Sequence, residues 1–316
     1  MRLLHLLAAF GLLILLGCGG SSTSTTPVGP AIYHYYVADT GNNRVVRYDS
    51  FGTPSNFITF GTAGSGINQM MAPTDIAFDS NSNIYVVDQG NSRIFRIGQD
   101  FLGDGWTTYG SAGSGTGQFM NPTGIAVDSL NRIYVTDTGN NRVVRMDDIT
   151  GTNWIAYGSA GAGIGQFQVP YNVRIDSSFN IYVSDSGNSR ITEMSDMFGD
   201  NWQSLSTFTS PNPKFNTPLG IELDFQNRIY VIDSGNKRIV QFNSISGANE
   251  AEWSYAGTLN GPKGLTVLGA LQILIADTGD SRIYRILNMQ GSTPSTYGSA
   301  GAGTNQILNP AQIRAH

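Results

Sequence analysis

The hexapeptide Asp-Thr-Gly-Asn-Asn-Arg at Asp39 to Arg44 recurs five more times, at Asp88 to Arg93, Asp137 to Arg142, Asp185 to Arg190, Asp233 to Arg238 and Asp277 to Arg282. The shared pattern is Asp-x-Gly-Asn/Asp-x-Arg, and successive aspartates stand 49, 49, 48, 48 and 44 residues apart. A fixed period of this length confines the chain to a repeat architecture. Each copy lies between two β-rich runs, as Tyr36-Val37-Ala38 before and Val45-Val46 after. The spacing predicts a β-hairpin with a four-residue turn, in which Gly and Asn supply positive φ. The Asp is expected to accept hydrogen bonds from turn amides, and the Arg to pair with the Asp. Six such pairs read either as a ring of binding groups or as a structural clasp. Identical use in every unit favours the clasp.

The rest of each unit is equally regular. A proline-led strand precedes five of the hairpins, at Pro73 to Asp79, Pro122 to Asp128, Pro170 to Asp176, Pro218 to Asp224 and Pro262 to Leu268. Their apolar residues alternate, as in Ile76/Phe78 and Ile125/Val127. A polar turn follows the first four, as Asp79-Ser80-Asn81. After each hairpin comes a fourth strand, to which all four tryptophans (Trp106, Trp154, Trp202, Trp253) are assigned as packing residues, with Phe57 and Phe60 in the corresponding slots of the first unit. Four strands per repeat at this period mean an all-β, six-bladed β-propeller of four-stranded antiparallel blades. Glycine runs such as Gly110-Ser-Ala-Gly113-Ser-Gly115 join one blade to the next. A phosphate-cradling loop would lead into a helix, whereas these lead into proline-initiated strands.

The unit from Tyr109 to Arg145 resembles an NHL repeat. It holds the glycine run, Gln-Phe, Pro, Tyr-Val and Asp-x-Gly-Asn-x-Arg in order, and the likeness extends over residues 31–316. Two units depart from it: residues 206–218 lack the glycine run and residues 257–262 shorten it, so altered rims are expected there. The resemblance implies a ring and no single function. Lyases of this fold rely on histidine, and here only His34 and His316 remain after the leader. RNA-binding relatives present a basic face. This chain has a formal charge of −5 and only 13% charged residues, which argues against nucleic acid as a partner.

Residues 1–17 read as a signal peptide: Arg2, then an apolar run from Leu3 to Leu16 that is short for a membrane span. Leu15-Leu16-Gly17-Cys18 resembles a bacterial lipobox, which would lipidate Cys18, the single cysteine. Gly19, not aspartate, follows it, which points to the outer membrane. Residues 18–30 form an uncharged Gly/Ser/Thr/Pro tether with a reach of roughly 20 Å. Residues 31–316 form the propeller. The expected protein is therefore exported and lipid-anchored in the cell envelope.

Two functions fit these observations. The first is a non-enzymatic module binding an envelope protein or glycan, without cofactor. The alternative is a lactonase-like hydrolase or lyase using carboxylates, with Ca²⁺, at the channel mouth. No catalytic residue or metal ligand is assigned. A specific site belongs where repeats differ, because a residue present in every unit serves the fold. Along the innermost strands one position reads Asp75, Gly124, Asn172, Gly220, Gly264, Gln312, and the next Ala77, Ala126, Arg174, Glu222, Thr266, Arg314. Asp75, Asn172, Arg174, Glu222, Gln312 and Arg314 are thus candidate ligand contacts near the axis. They form either a site for a polar or anionic group, with Arg174 and Arg314 as its cations, or an internal Arg–Glu network.

Ring closure follows from the ends. The hairpin at Asp39 has no proline-led strand before it, while Asn309-Pro310 to His316 is such a strand without a hairpin. Residues 311–316 are expected to pair with residues 33–39, bringing His316 beside His34, on the face away from the Asp-x-Gly turns.

Overall fold

The computed structural model describes residues 33–49, 51, 56–207, 214–254, 257–269, 272–290 and 293–316. The expected signal peptide (residues 1–17), Cys18 and the expected tether lie outside the described residues.

Six four-stranded antiparallel sheets make six blades. Blade 2 is typical: Pro73–Phe78 innermost, then Ile84–Asp88, Arg93–Ile97 and Thr107–Tyr109 at the rim. Blades 3 to 6 repeat this order, with inner strands Ile125–Val127, Pro170–Ile175, Pro218–Leu223 and Pro262–Leu268. Pro122 lies outside the inner strand of blade 3, which starts at Ile125. In the other four, ladder pairing is broken just after the leading proline, which lacks an N–H to donate.

The second strand of each blade is buried on both faces, because a blade is covered by a neighbour on each side. Tyr35–Asp39 and Ile133–Asp137 are buried at every residue. This is why those strands read as near-continuous apolar runs. The core is accordingly divided among the blade interfaces. Tyr36, Ala38 and Val45 of blade 1 pack against Ile76, Ile84, Val86 and Phe95 of blade 2. Val37 and Val46 pack on the other side against Leu274 and Ile283 of blade 6.

Blade 1 is assembled from both ends of the chain. Gln312–Ala315 is its inner strand and pairs with Tyr35–Asp39, in the register Tyr35↔Ala315, Tyr36↔Arg314, Val37↔Ile313 and Ala38↔Gln312. His34 and His316 exchange both backbone hydrogen bonds, at 2.9 and 3.0 Å. The expected closure and its register are both present.

The tryptophans need one correction. Trp106, Trp154 and Trp202 each precede the rim strand by one residue, whereas Trp253 ends its strand and pairs with Ile239, as Tyr109 pairs with Ile94. Trp253 therefore holds the tyrosine slot. The other three lie over clasp arginines: the Arg93, Arg142 and Arg190 guanidiniums are 5.8, 5.9 and 5.6 Å from the ring centres, and Arg44 takes Phe57 instead.

Candidate functional site

The repeated hexapeptide is a staple that binds the hairpin to the glycine-rich loop leading into its own blade. In blade 3, Asp137 Oδ2 accepts from Asn140 Nδ2 and Arg142 Nε, both at 2.8 Å. Its Oδ1 accepts from the Met120 amide at 2.7 Å. Asn140 also donates to the Gly113 carbonyl, and Arg142 to those of Ser114, Gly115 and Gln118. The same Asp–Arg pair forms at 2.7–2.8 Å in blades 1 to 5: Asp39–Arg44, Asp88–Arg93, Asp137–Arg142, Asp185–Arg190 and Asp233–Arg238. The guanidiniums' hydrogen bonds go to the fold, leaving little with which to hold a ligand.

Two expectations about this turn change. The aspartates in these five blades accept from loop amides: those of blades 2 to 5 from Met71, Met120, Gln168 and Asn216, seventeen residues earlier, and Asp39 from Leu308 at the far end of the chain. Positive φ is taken not by the glycine but by the residue before Arg, as Asn43 at 54° and Asn141 at 53°. The glycine is needed for close approach: a Cβ on Gly139 would lie 2.7 Å from the Met120 carbonyl oxygen. Asp277 and Arg282, the sixth pair, form no ion pair, and Asp277 Oδ1 is buried without a partner.

The polar exceptions of the inner strands do meet on the axis. Asp75 Oδ2 accepts from Asn172 Nδ2 at 2.8 Å and from the Ile125 amide at 3.0 Å. The guanidinium of Arg174 lies 3.4 Å from both Asp75 and Glu222. Arg314 reaches Asp75 Oδ1 at 3.2 Å and bonds Glu222, while also donating to the Ile76 and Leu265 carbonyls. Gln312 is 1% exposed and accepts from its own neighbour, the Ile313 amide. Gly124, Gly220 and Gly264 hold this position in the remaining blades because the strands crowd the axis: a Cβ on Gly124 would lie 2.8 Å from Asn172 Cα.

The geometry favours the internal network over an open anion site. Two carboxylates and two guanidiniums from blades 1, 2, 4 and 5 are matched one for one, and isolated buried charge would be costly. Burial pushes Asp75 above the usual carboxylate range against the pull of Arg174. Glu222, with 16% of its side chain exposed, is the member that reaches open space. It borders a cavity of about 310 Å³ with Arg174, Thr266 and Arg314, at the end of the channel away from the clasps. Burial pushes its carboxyl up to about 7.

Two further polar series are engaged within the fold. Asp79, Asp128, Asp176 and Asp224 each cap the turn after the inner strand and accept from a tyrosine hydroxyl, as Tyr134 to Asp128 at 3.1 Å. Their recurrence was visible in the sequence, but as turns rather than as a second clasp. Thr123, Thr136 and Ser184 donate to the Tyr171 and Leu219 carbonyls of the next inner strand. The two histidine rings turn apart: His34 Nδ1 meets Asp49 at 2.6 Å, and His316 Nε2 meets Ser82 at 2.7 Å while stacking on Phe78. No group of three or more His, Cys, Asp or Glu suited to a metal occurs among the described residues.

Comparison with known proteins bears on the whole ring. The NHL repeat family matches residues 119–146, which run from the end of the glycine loop through the third clasp. The chain is a six-bladed β-propeller in which one unit matches the NHL repeat. A chain of a nidogen/laminin complex superposes on this propeller with a TM-score of 0.69 at 19% identity, covering 90% of this chain and 98% of that one. A streptogramin B lyase gives 0.59 at 15% identity, covering 86% and 80%. A catalytically inactive virginiamycin B lyase from Staphylococcus aureus, with quinupristin, gives 0.57 at 16%, covering 82% and 78%. At these identities the likeness shows the fold alone. No curated protein sequence matches the chain.

Proposed function

We propose that this NHL propeller is a non-enzymatic binding module, held at the bacterial cell envelope by a lipid on Cys18, that presents its faces to a protein or glycan partner. The supporting observation is the channel network. Arg174 and Arg314 are spent on Asp75 and Glu222 and on backbone carbonyls, so the axis is built as a polar strut. Partner contact then falls to the rims. The clasp face carries exposed apolar side chains on its lead-in loops, with Ile67 at 77% and Ile164 at 80% exposed. A propeller of the same architecture occurs in a nidogen/laminin complex, which supports a protein partner.

A second reading, the carboxylate-based hydrolase or lyase, draws on Glu222. Its carboxyl, at about 7, is suited to proton transfer at neutral pH and faces the cavity. The two are separated by assaying residues 31–316 in parallel for capture of envelope proteins and glycans and for turnover of a lactone and ester panel. A partner that is lost with Ile67→Asp/Ile164→Asp and retained with Glu222→Gln supports the binding module. Turnover that Glu222→Gln abolishes transfers the assignment to the enzyme. The anchor is tested by incorporation of labelled fatty acid, expected in the full chain and lost with Cys18→Ser.

A further inference from the structure

The sixth clasp differs from the other five in three linked ways. Asp280 stands where the other copies have asparagine, and the aspartate spacing before it contracts to 44 residues. Arg282 is exposed and forms no ion pair among the described residues, while its counterparts in blades 1 to 5 are part-buried or buried. The lead-in loop is shortened to residues 257–262, whereas that of blade 5, which also lacks a glycine run, still offers the Lys214 carbonyl to Arg238.

The consequence falls on Asp277, which is fully buried. Its Oδ2 accepts from the Asn260 amide at 2.8 Å, as the other clasp aspartates accept from theirs. Its Oδ1 is the counterpart of the oxygen that elsewhere receives both an asparagine Nδ2 and an arginine Nε. Here that oxygen has no partner. Both positive or donor groups have gone, and the residue replacing one of them is another carboxylate. Asp280 is held beside Asp277 by Asn260 Nδ2 at 3.2 Å and by the Tyr284 hydroxyl, also at 3.2 Å. Burial, reinforced by the charge of Asp280, pushes Asp277 up to about 6. A buried carboxylate oxygen without a donor, facing a second carboxylate, has the chemistry of a hard-cation site.

We propose that the turn of blade 6 binds a divalent hard cation of the Ca²⁺ class, with Asp277 Oδ1 and the Asp280 carboxylate as its protein ligands and water completing the shell. The cation takes the position that a guanidinium holds in blades 1 to 5, so this clasp is closed by metal in place of arginine. This site is separate from the channel mouth and does not depend on the binding-module reading. Two carboxylates give modest affinity, with half-saturation on the order of 0.1–1 mM, in the range of extracellular modules.

The test uses Tb³⁺ and Ca²⁺ on the propeller at pH 7.5. Tyr284, bonded to Asp280, is placed to sensitise Tb³⁺ luminescence, and Ca²⁺ is expected to quench the signal by competition. At tenfold excess over half-saturation, Ca²⁺ raises the melting midpoint by about 2–4 °C. Asp280→Asn restores the repeat consensus: it is expected to fold, to melt higher than the parent without metal, and to lose both the luminescence and the Ca²⁺ shift. Tyr284→Phe keeps the Ca²⁺ shift and loses most of the luminescence. The proposal is overturned if the parent shows neither signal at 10 mM Ca²⁺, or if Asp280→Asn retains them.

Discussion

Asp137 and Asp277 hold the same position of the same repeat, and their surroundings make them opposites. Asp137 receives three donors, so Asp137→Ala takes the shared acceptor from Arg142 Nε, Asn140 Nδ2 and the Met120 amide at a buried position. Its expected cost is about 3–5 kcal/mol, read from urea denaturation. Arg282→Ala, at an exposed residue of the sixth copy, is expected to change stability by less than about 0.5 kcal/mol. Equal losses in the two variants would refute the distinction. Asp277 also sets a pH dependence. Its folded carboxyl, at about 6, binds a proton more tightly than the unfolded one, so its contribution is complete below about pH 4 and disappears as the pH rises through 6. Removing it with Asp277→Asn is therefore expected to flatten the stability profile between pH 4 and 7 by at most about 3 kcal/mol. The comparison must be made between parent and variant, because Glu222, raised to about 7, has the same sign, whereas His316, lowered by burial and His34, has the opposite one. A parent and variant with parallel profiles would remove the argument.

At the scale of the element, the turn and its loop behave as one unit that sequence reading divided in two. The hairpin was legible because Gly and Asn interrupt apolar runs, and the glycine run because it repeats. That the first holds the second was not, since the bonds join residues 24 to 28 apart, as Arg142 to Gln118 and Ser114. The glycine of the motif illustrates the difficulty: composition suggests positive φ, while the structure uses it to admit the Met120 carbonyl at a distance that no Cβ allows. Gly139→Ala is expected to cost about 1–3 kcal/mol through displacement of residue 120 and of its bond to Asp137, measurable as a lowered melting midpoint. The candidate site was half legible. Departures from the repeat picked out Asp75, Asn172, Arg174, Glu222, Gln312 and Arg314 as a group, because the axis is the one place where inner strands of all blades approach one another. Whether they would be open or mutually paired depended on distances across the ring, and these emerge only when the blades are set side by side. In the sequence Asp280 reads only as the Asn/Asp alternative of the motif. Its meaning needed the five intact clasps for comparison.

For the whole molecule, the shared first blade is the decisive feature. Closure was legible because one end lacked a strand and the other had one spare, so the two deficits predicted each other. It is reinforced at the clasp end, where Asp39 accepts the Leu308 amide, Asn42 bonds Gly301, and Arg44 bonds Ala302 and Gln306. Deleting residues 309–316 removes the inner strand and exposes the edge of Tyr35–Asp39, and is expected to lower the melting midpoint by more than 10 °C or to abolish folding. A truncated protein that melts like its parent would show the ring closed by other means. The same arrangement governs how the propeller bears a pull. Tyr35–Asp39 is gripped by a ladder on each side, five residue pairs with Arg44–Tyr48 and four with Gln312–Ala315. Traction on the chain ahead of residue 33 runs along that strand and loads both ladders in shear, so their bonds resist together instead of opening one after another.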